Sequence, residues 1–115
     1  MILVITKYGR TLLPLTYNDE ELEKLMTSFI KKTRGHFRYS QLCNYIEGKA
    51  MQEGRFKTAP YTRYTEMTMA EYDHHRLSML LWQMIWNKTI FIEFRPYDVR
   101  NGNNGDVLFG VVNSE

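Results

Sequence analysis

Apolar residues along this chain change period several times, and each change marks a predicted element. Ile2 to Lys7 is an apolar, β-prone run, and Thr11 to Leu15 is a second one. Tyr8-Gly9-Arg10 between them has the make-up of a turn, so an N-terminal hairpin is expected. Pro14 in the second arm points to a sheet edge, because proline donates no ladder hydrogen bond. The period then becomes helical. Leu22, Leu25, Met26, Phe29 and Ile30 form one stripe behind Asn18, an N-cap with Glu21 three residues on and Tyr17 and Leu22 at the staple positions. Asp19, Glu20 and Glu21 suit the positive end of the helix dipole, Lys31 and Lys32 suit the negative end, and Gly35 is the expected stop.

His36 to Tyr39 is a short extended piece. Ser40 is the expected cap of a second helix that turns Leu42, Cys43, Tyr45 and Ile46 inward and ends at Gly48 or Gly54. A third helix is predicted from a capping box of Thr68 and Glu71, with Met67 stapled to Tyr72, running to Asn87. Met69, Tyr72, Arg76, Leu77, Leu80, Leu81, Met84 and Ile85 line one of its faces. Met79, Trp82 and Trp86 line another and are left for the N-terminal hairpin, a second copy or a foreign protein. Thr89 to Phe94 and Val107 to Val112 read as strands of a hairpin, joined by a long tip with two Asn-Gly steps.

A chain of 115 residues suits one domain. It has no apolar run long enough for a membrane span, and its N-terminus makes a poor signal peptide. Cys43, the single cysteine, forms no intramolecular disulfide, and a cytoplasmic setting is expected.

Charge adds a direction. Residues 31–63 carry eight cations (Lys31, Lys32, Arg34, Arg38, Lys49, Arg55, Lys57 and Arg63) against Glu47 and Glu53, a local net charge of +6. The chain total is +2, so the rest sums to −4. Such asymmetry fits a basic face aimed at an anionic partner, or else a solvated charge cluster. Within the block, Gly54 to Thr65 interleaves Arg55, Lys57 and Arg63 with Phe56, Tyr61 and Tyr64. Such a loop either touches phosphate and stacks on bases, or tucks its rings into the core. The start of the third helix is acidic instead, with Glu66, Glu71 and Asp73 partly offset by His74, His75 and Arg76.

Catalytic and metal chemistry find little support. Adjacent histidines such as His74 and His75 point about 100° apart on a helix, unlike the i, i+4 pair of a zinc site. Cys43 lies on an apolar helix face and reads as a buried structural thiol. No nucleophile elbow, phosphate-binding loop or dinucleotide fingerprint occurs. No enzyme, cofactor or metal is expected.

The order helix, short strand, helix, loop, helix, strand, long loop, strand over Asp19 to Val112 resembles a winged helix-turn-helix domain. That resemblance implies an α+β fold with a three-helix core over residues 17–88 and a wing hairpin over 89–113, to which the residue pattern adds the N-terminal hairpin over 1–16. It also implies duplex DNA as a partner, touched by the third helix and the wing. The expected function is a nucleic-acid-binding regulator, with contacts from Lys31, Lys32, Arg34, Arg38, Lys49, Arg55, Lys57, Arg63, Arg95 and Arg100. The alternative is a protein-interaction module, such as a small phage-type inhibitor or adaptor, or a homodimer, acting through Met79, Trp82 and Trp86.

Overall fold

The computed structural model describes residues 2–3, 11–60, 62–63, 66–93 and 107–112. These form a mixed α+β fold. In chain order they give β1 (Ile2–Leu3), β2 (Thr11–Leu13), α1 (Asp19–Lys32), β3 (His36–Arg38), α2 (Tyr39–Glu53), β4 (Thr62–Arg63), β5 (Met67–Met69), α3 (Glu71–Trp86), β6 (Ile90–Glu93) and β7 (Leu108–Val111).

The first helix starts as its sequence predicts. Asn18 accepts the Glu21 N–H at 2.8 Å, and the Glu21 carboxylate accepts the Asn18 N–H at 2.9 Å, so two orphan donors are satisfied. Leu22, Met26 and Ile30 are buried along one face, and Leu25 and Phe29 pack at its edges. The helix stops at Lys32, where Thr33 returns its N–H and its hydroxyl to the Ile30 carbonyl. Gly35, at φ +95°, then makes the turn into β3, a backbone state that side chains disfavour.

The second helix runs to Glu53, past Gly48, and closes on Gly54 in the left-handed region. Its start differs from expectation. Ser40 lies inside the helix, and the Gln41 side chain accepts the Arg38 N–H at 2.8 Å.

Two expectations are corrected by pairing. The arms of the predicted N-terminal hairpin do not pair in their described parts. Ile2–Leu3 runs parallel to Thr62–Arg63, and Thr11–Leu13 runs parallel to Met67–Met69. Burial favours this choice. Along Thr11–Tyr17 alternate residues are buried, and the strand lays Thr11 and Leu13 on the core beside Met69. The turn at residues 8–10 lies outside the described residues. The predicted capping box of Thr68 and Glu71 is also absent, because Met67–Met69 is strand and α3 begins after Ala70. The Thr68 hydroxyl donates to Glu47 on α2 instead, and the same carboxylate accepts the Met69 N–H at 2.9 Å.

A three-stranded antiparallel sheet of order β3-β7-β6 closes the fold. Phe37 on β3 stacks on Phe109 of β7 at 5.1 Å between ring centroids, and Phe29 of α1 meets Phe37 edge-on at 5.4 Å. This ring chain joins sheet to helices. The predicted tip, with Arg95, Arg100 and both Asn-Gly steps, lies outside the described residues.

Candidate functional site

The basic segment divides once its side chains are placed. Arg55 is built into the fold. Its guanidinium meets Glu21 at 3.0 and 3.1 Å, reaches the Thr16 hydroxyl and carbonyl at 2.9 and 3.0 Å, and lies over the Tyr17 ring at 4.4 Å. The Arg55 contact is the main cause that holds the Glu21 carboxyl below its ordinary range, and the Asn18 N–H adds to it. Phe56 is buried, and its backbone bridges to Leu15. So this part of the irregular stretch folds inward, and its aromatic ring serves the core. Lys57 to Pro60 are exposed, whereas Tyr61, Tyr64 and the side chain of Arg63 lie outside the described residues.

Two other cations, Lys32 and Lys49, meet where α1 ends and α2 passes, and two more lie near the first of them in sequence. Lys31 and Lys32 occupy the last turn of α1, and Arg34 is exposed just beyond it. Lys49 approaches from α2. The half-buried Tyr45 ring lies between the two helices, with Lys32 Nζ 5.4 Å and Lys49 Nζ 6.0 Å from its centroid. Arg38, half-buried, stands at the entry to α2.

The start of α3 is less acidic at its surface than its sequence suggests. Asp73 is fully buried. It accepts the Leu15 N–H at 2.9 Å and the Arg76 guanidinium at 2.9 Å. Arg76 also donates to the Tyr17 carbonyl at 2.6 Å and to Asp19 at 2.9 Å. One buried pair thus pins α3 to the chain entering α1, and the only cation of α3 is committed internally.

What α3 turns outward is apolar toward its end. Its exposed residues are Glu71, Tyr72, His75, Ser78, Met79, Trp82, Gln83 and Trp86, none of them Lys or Arg. Met79 is 55%, Trp82 54% and Trp86 82% exposed, so among the described residues nothing covers them. Spacing predicts that these three are left over from the core, and the structure leaves them so. Leu77, Leu80, Leu81 and Met84 take the buried face, with Met69 behind them.

Beside this ridge lies a groove of about 510 Å³ between α3 and the sheet, lined by Tyr39, Leu81, Trp82, Ile85, Ile92 and Phe109 among others. Its polar end is one that sequence reasoning missed. The Tyr39 hydroxyl lies 2.8 Å from His74 Nδ1, and the Cys43 sulfur lies 3.8 Å from the same nitrogen. Residues 35 and 31 positions apart give no spacing signal for such a cluster. Burial pushes the Tyr39 phenol well above its ordinary value, and the neighbouring Cys43 adds to this. Cys43 is buried, as expected of a structural thiol, and the nearer Tyr39 hydroxyl occupies His74 Nδ1. Among the described residues, no group of three His, Cys, Asp or Glu side chains is placed to hold a metal ion, and no helix is long and apolar enough to cross a membrane.

Comparison with protein-family models, with curated proteins and with solved structures gives no match.

Proposed function

We propose that this chain is a protein-interaction module, with the outward face of α3 as its docking surface and an amphipathic helix as its partner. The observation that carries this is the exposed row Tyr72, His75, Met79, Trp82 and Trp86. Its steps are three, four, three and four residues, the spacing at which one helix seats against another. Large apolar side chains collected in one exposed patch mark interfaces in folded proteins. A regulator, inhibitor or adaptor works through such a contact and needs no catalytic group.

The arrangement around it is winged-helix-like. Support comes from the order α1-β3-α2-α3-β6-β7, with the short β4 and β5 inserted before α3, and from the sheet order, in which β3 flanks β7 and β7 flanks β6. In that arrangement the third helix is the one that reads DNA. Here its outward face has no Lys or Arg to neutralise phosphate and ends in Met79, Trp82 and Trp86. That chemistry suits a protein better than a nucleic-acid groove.

Nucleic-acid binding, with duplex DNA as the ligand, is the second reading, and it belongs to a different face. Lys32 and Lys49 beside the Tyr45 ring favour it, with Lys31 next to the first of them in sequence and Arg34 two residues on. Arg55 is not among the contacts, since Glu21 already holds it.

Selection from a displayed library of amphipathic helical peptides tests the first reading. Binders should emerge, and Trp82→Lys with Trp86→Lys should cost them at least about tenfold in affinity while the far-ultraviolet circular dichroism stays that of the parent. Binders indifferent to both substitutions would overturn the reading, as would a double variant that unfolds.

A further inference from the structure

We infer that the helix seated on α3 is the α3 of a second copy, packed antiparallel about a two-fold axis near Met79. This rests on the interaction reading above and names its partner.

The face is self-complementary, as a two-fold interface must be. Residues on a helix advance by about 100°, so the row Tyr72, His75, Met79, Trp82 and Trp86 occupies one narrow strip of the surface. The groove lies directly beside that strip, and Trp82 belongs to both, exposed on the ridge and lining the groove. One copy therefore offers a ridge and a slot side by side. Turning a second copy end over end about an axis across the helix at Met79 sets ridge against ridge, and the two slots then face each other beside the seam.

Register comes from the residue numbers. Met79 is the midpoint between Tyr72 and Trp86. Reversal about it brings Trp86 to the turn of the partner's helix that carries Tyr72 and His74, and brings Trp82 to the turn that carries His75 and Ser78. His74 and Ser78 line the groove. The most exposed large side chain of the ridge, Trp86, thus packs on the partner's Tyr72, at the edge of the slot whose polar end is the Tyr39–His74 pair.

Charge selects the direction. Glu71 opens α3, and exposed Lys88 stands just past its end. Antiparallel packing opposes each to the other, whereas parallel packing sets like against like. Area is sufficient. Tyr72 is 69% exposed, and with Met79, Trp82, Trp86, Ile92 and Val107 at 40% or more, the free surface is on the order of 700 Å² per copy at about 200 Å² per large side chain. Doubled, that falls within the range of stable interfaces, about 1,200–2,000 Å².

Sedimentation velocity over a concentration series tests the pair, together with site-directed crosslinking. The parent chain should sediment as a dimer that dissociates on dilution, and Trp86→Asp should weaken it at least about tenfold. Met79→Cys, in a Cys43→Ser background, should crosslink to itself with a short bismaleimide, whereas Ser28→Cys on α1 should not. Glu71→Lys should weaken the dimer, and adding Lys88→Glu should restore it, a rescue that only the antiparallel register predicts. A parent that is monomeric throughout overturns the homodimer. If displayed helical peptides still bind its α3, the docking reading survives that result. A dimer that ignores Trp86→Asp and gives no Met79→Cys crosslink overturns both the face and the register.

Discussion

Asp73 and Arg76, one turn apart on α3, form an ion pair at 2.9 Å whose acid is wholly buried. The same carboxylate caps the Leu15 N–H, and the same guanidinium caps the Tyr17 carbonyl. Removing Asp73 leaves the buried Leu15 N–H without its acceptor and Arg76 with only the exposed Asp19 carboxylate to meet its charge, which costs more than the pair contributes net. Asp73→Ala should therefore lower unfolding free energy by about 3–5 kcal/mol in urea titration. A loss below about 1 kcal/mol would mean that water reaches Arg76 and relieves it.

The Glu21–Arg55 contact gives a pH dependence with a defined sign. Arg55 and the Asn18 N–H depress the folded-state pKa of Glu21. Its contribution is therefore full above the ordinary carboxylate range and is lost as pH falls through that range toward the lower folded value. The melting temperature of the parent should drop on acidification. In Arg55→Met the part due to this contact should be missing, so the variant's curve should lie below the parent's at neutral pH and converge on it in acid. Parallel curves would show that the pair adds nothing.

Across the β6–β7 pair, Phe91 stands opposite Gly110, and its ring lies over the glycine so closely that a Cβ there would collide with it. Gly110→Ala should push the half-exposed ring aside, which the loose end of the side chain allows. The expected cost is about 1 kcal/mol, the scale of a cross-strand aromatic contact. Near-ultraviolet circular dichroism should change with it. An unchanged spectrum with unchanged stability would place the ring elsewhere.

If duplex DNA binds at all, Lys32 and Lys49 should carry the salt dependence. Each phosphate contact removed should flatten the slope of log affinity against log salt by about 0.9, so replacing both with Ala should flatten it by about 2. Arg55→Ala should leave the slope unchanged, because its charge is already met by Glu21. A slope that responds to Arg55 and not to the two lysines would remove the Tyr45 face from consideration.

Local signals were legible in the sequence wherever a few neighbouring residues settle the outcome. The Asn18–Glu21 box, the apolar stripe of α1, the left-handed stop at Gly54 and the two strands after α3 depend on contacts within a turn or a short pairing. The two faces of α3 were also readable, because helical spacing alone separates Leu77, Leu80, Leu81 and Met84 from Met79, Trp82 and Trp86. Tertiary structure decided what distance in sequence hides. Thr11–Leu13 pairs with Met67–Met69, more than fifty residues on, where Leu13 and Met69 are buried together. Thr68 carries the pattern of a cap, yet Glu47 from α2 takes its hydroxyl and holds the segment extended. Arg55 and Asp73 look like free surface charges in the sequence. Partners 34 and 58 residues away make them part of the frame, and a charge's role is set by the groups that fold places beside it.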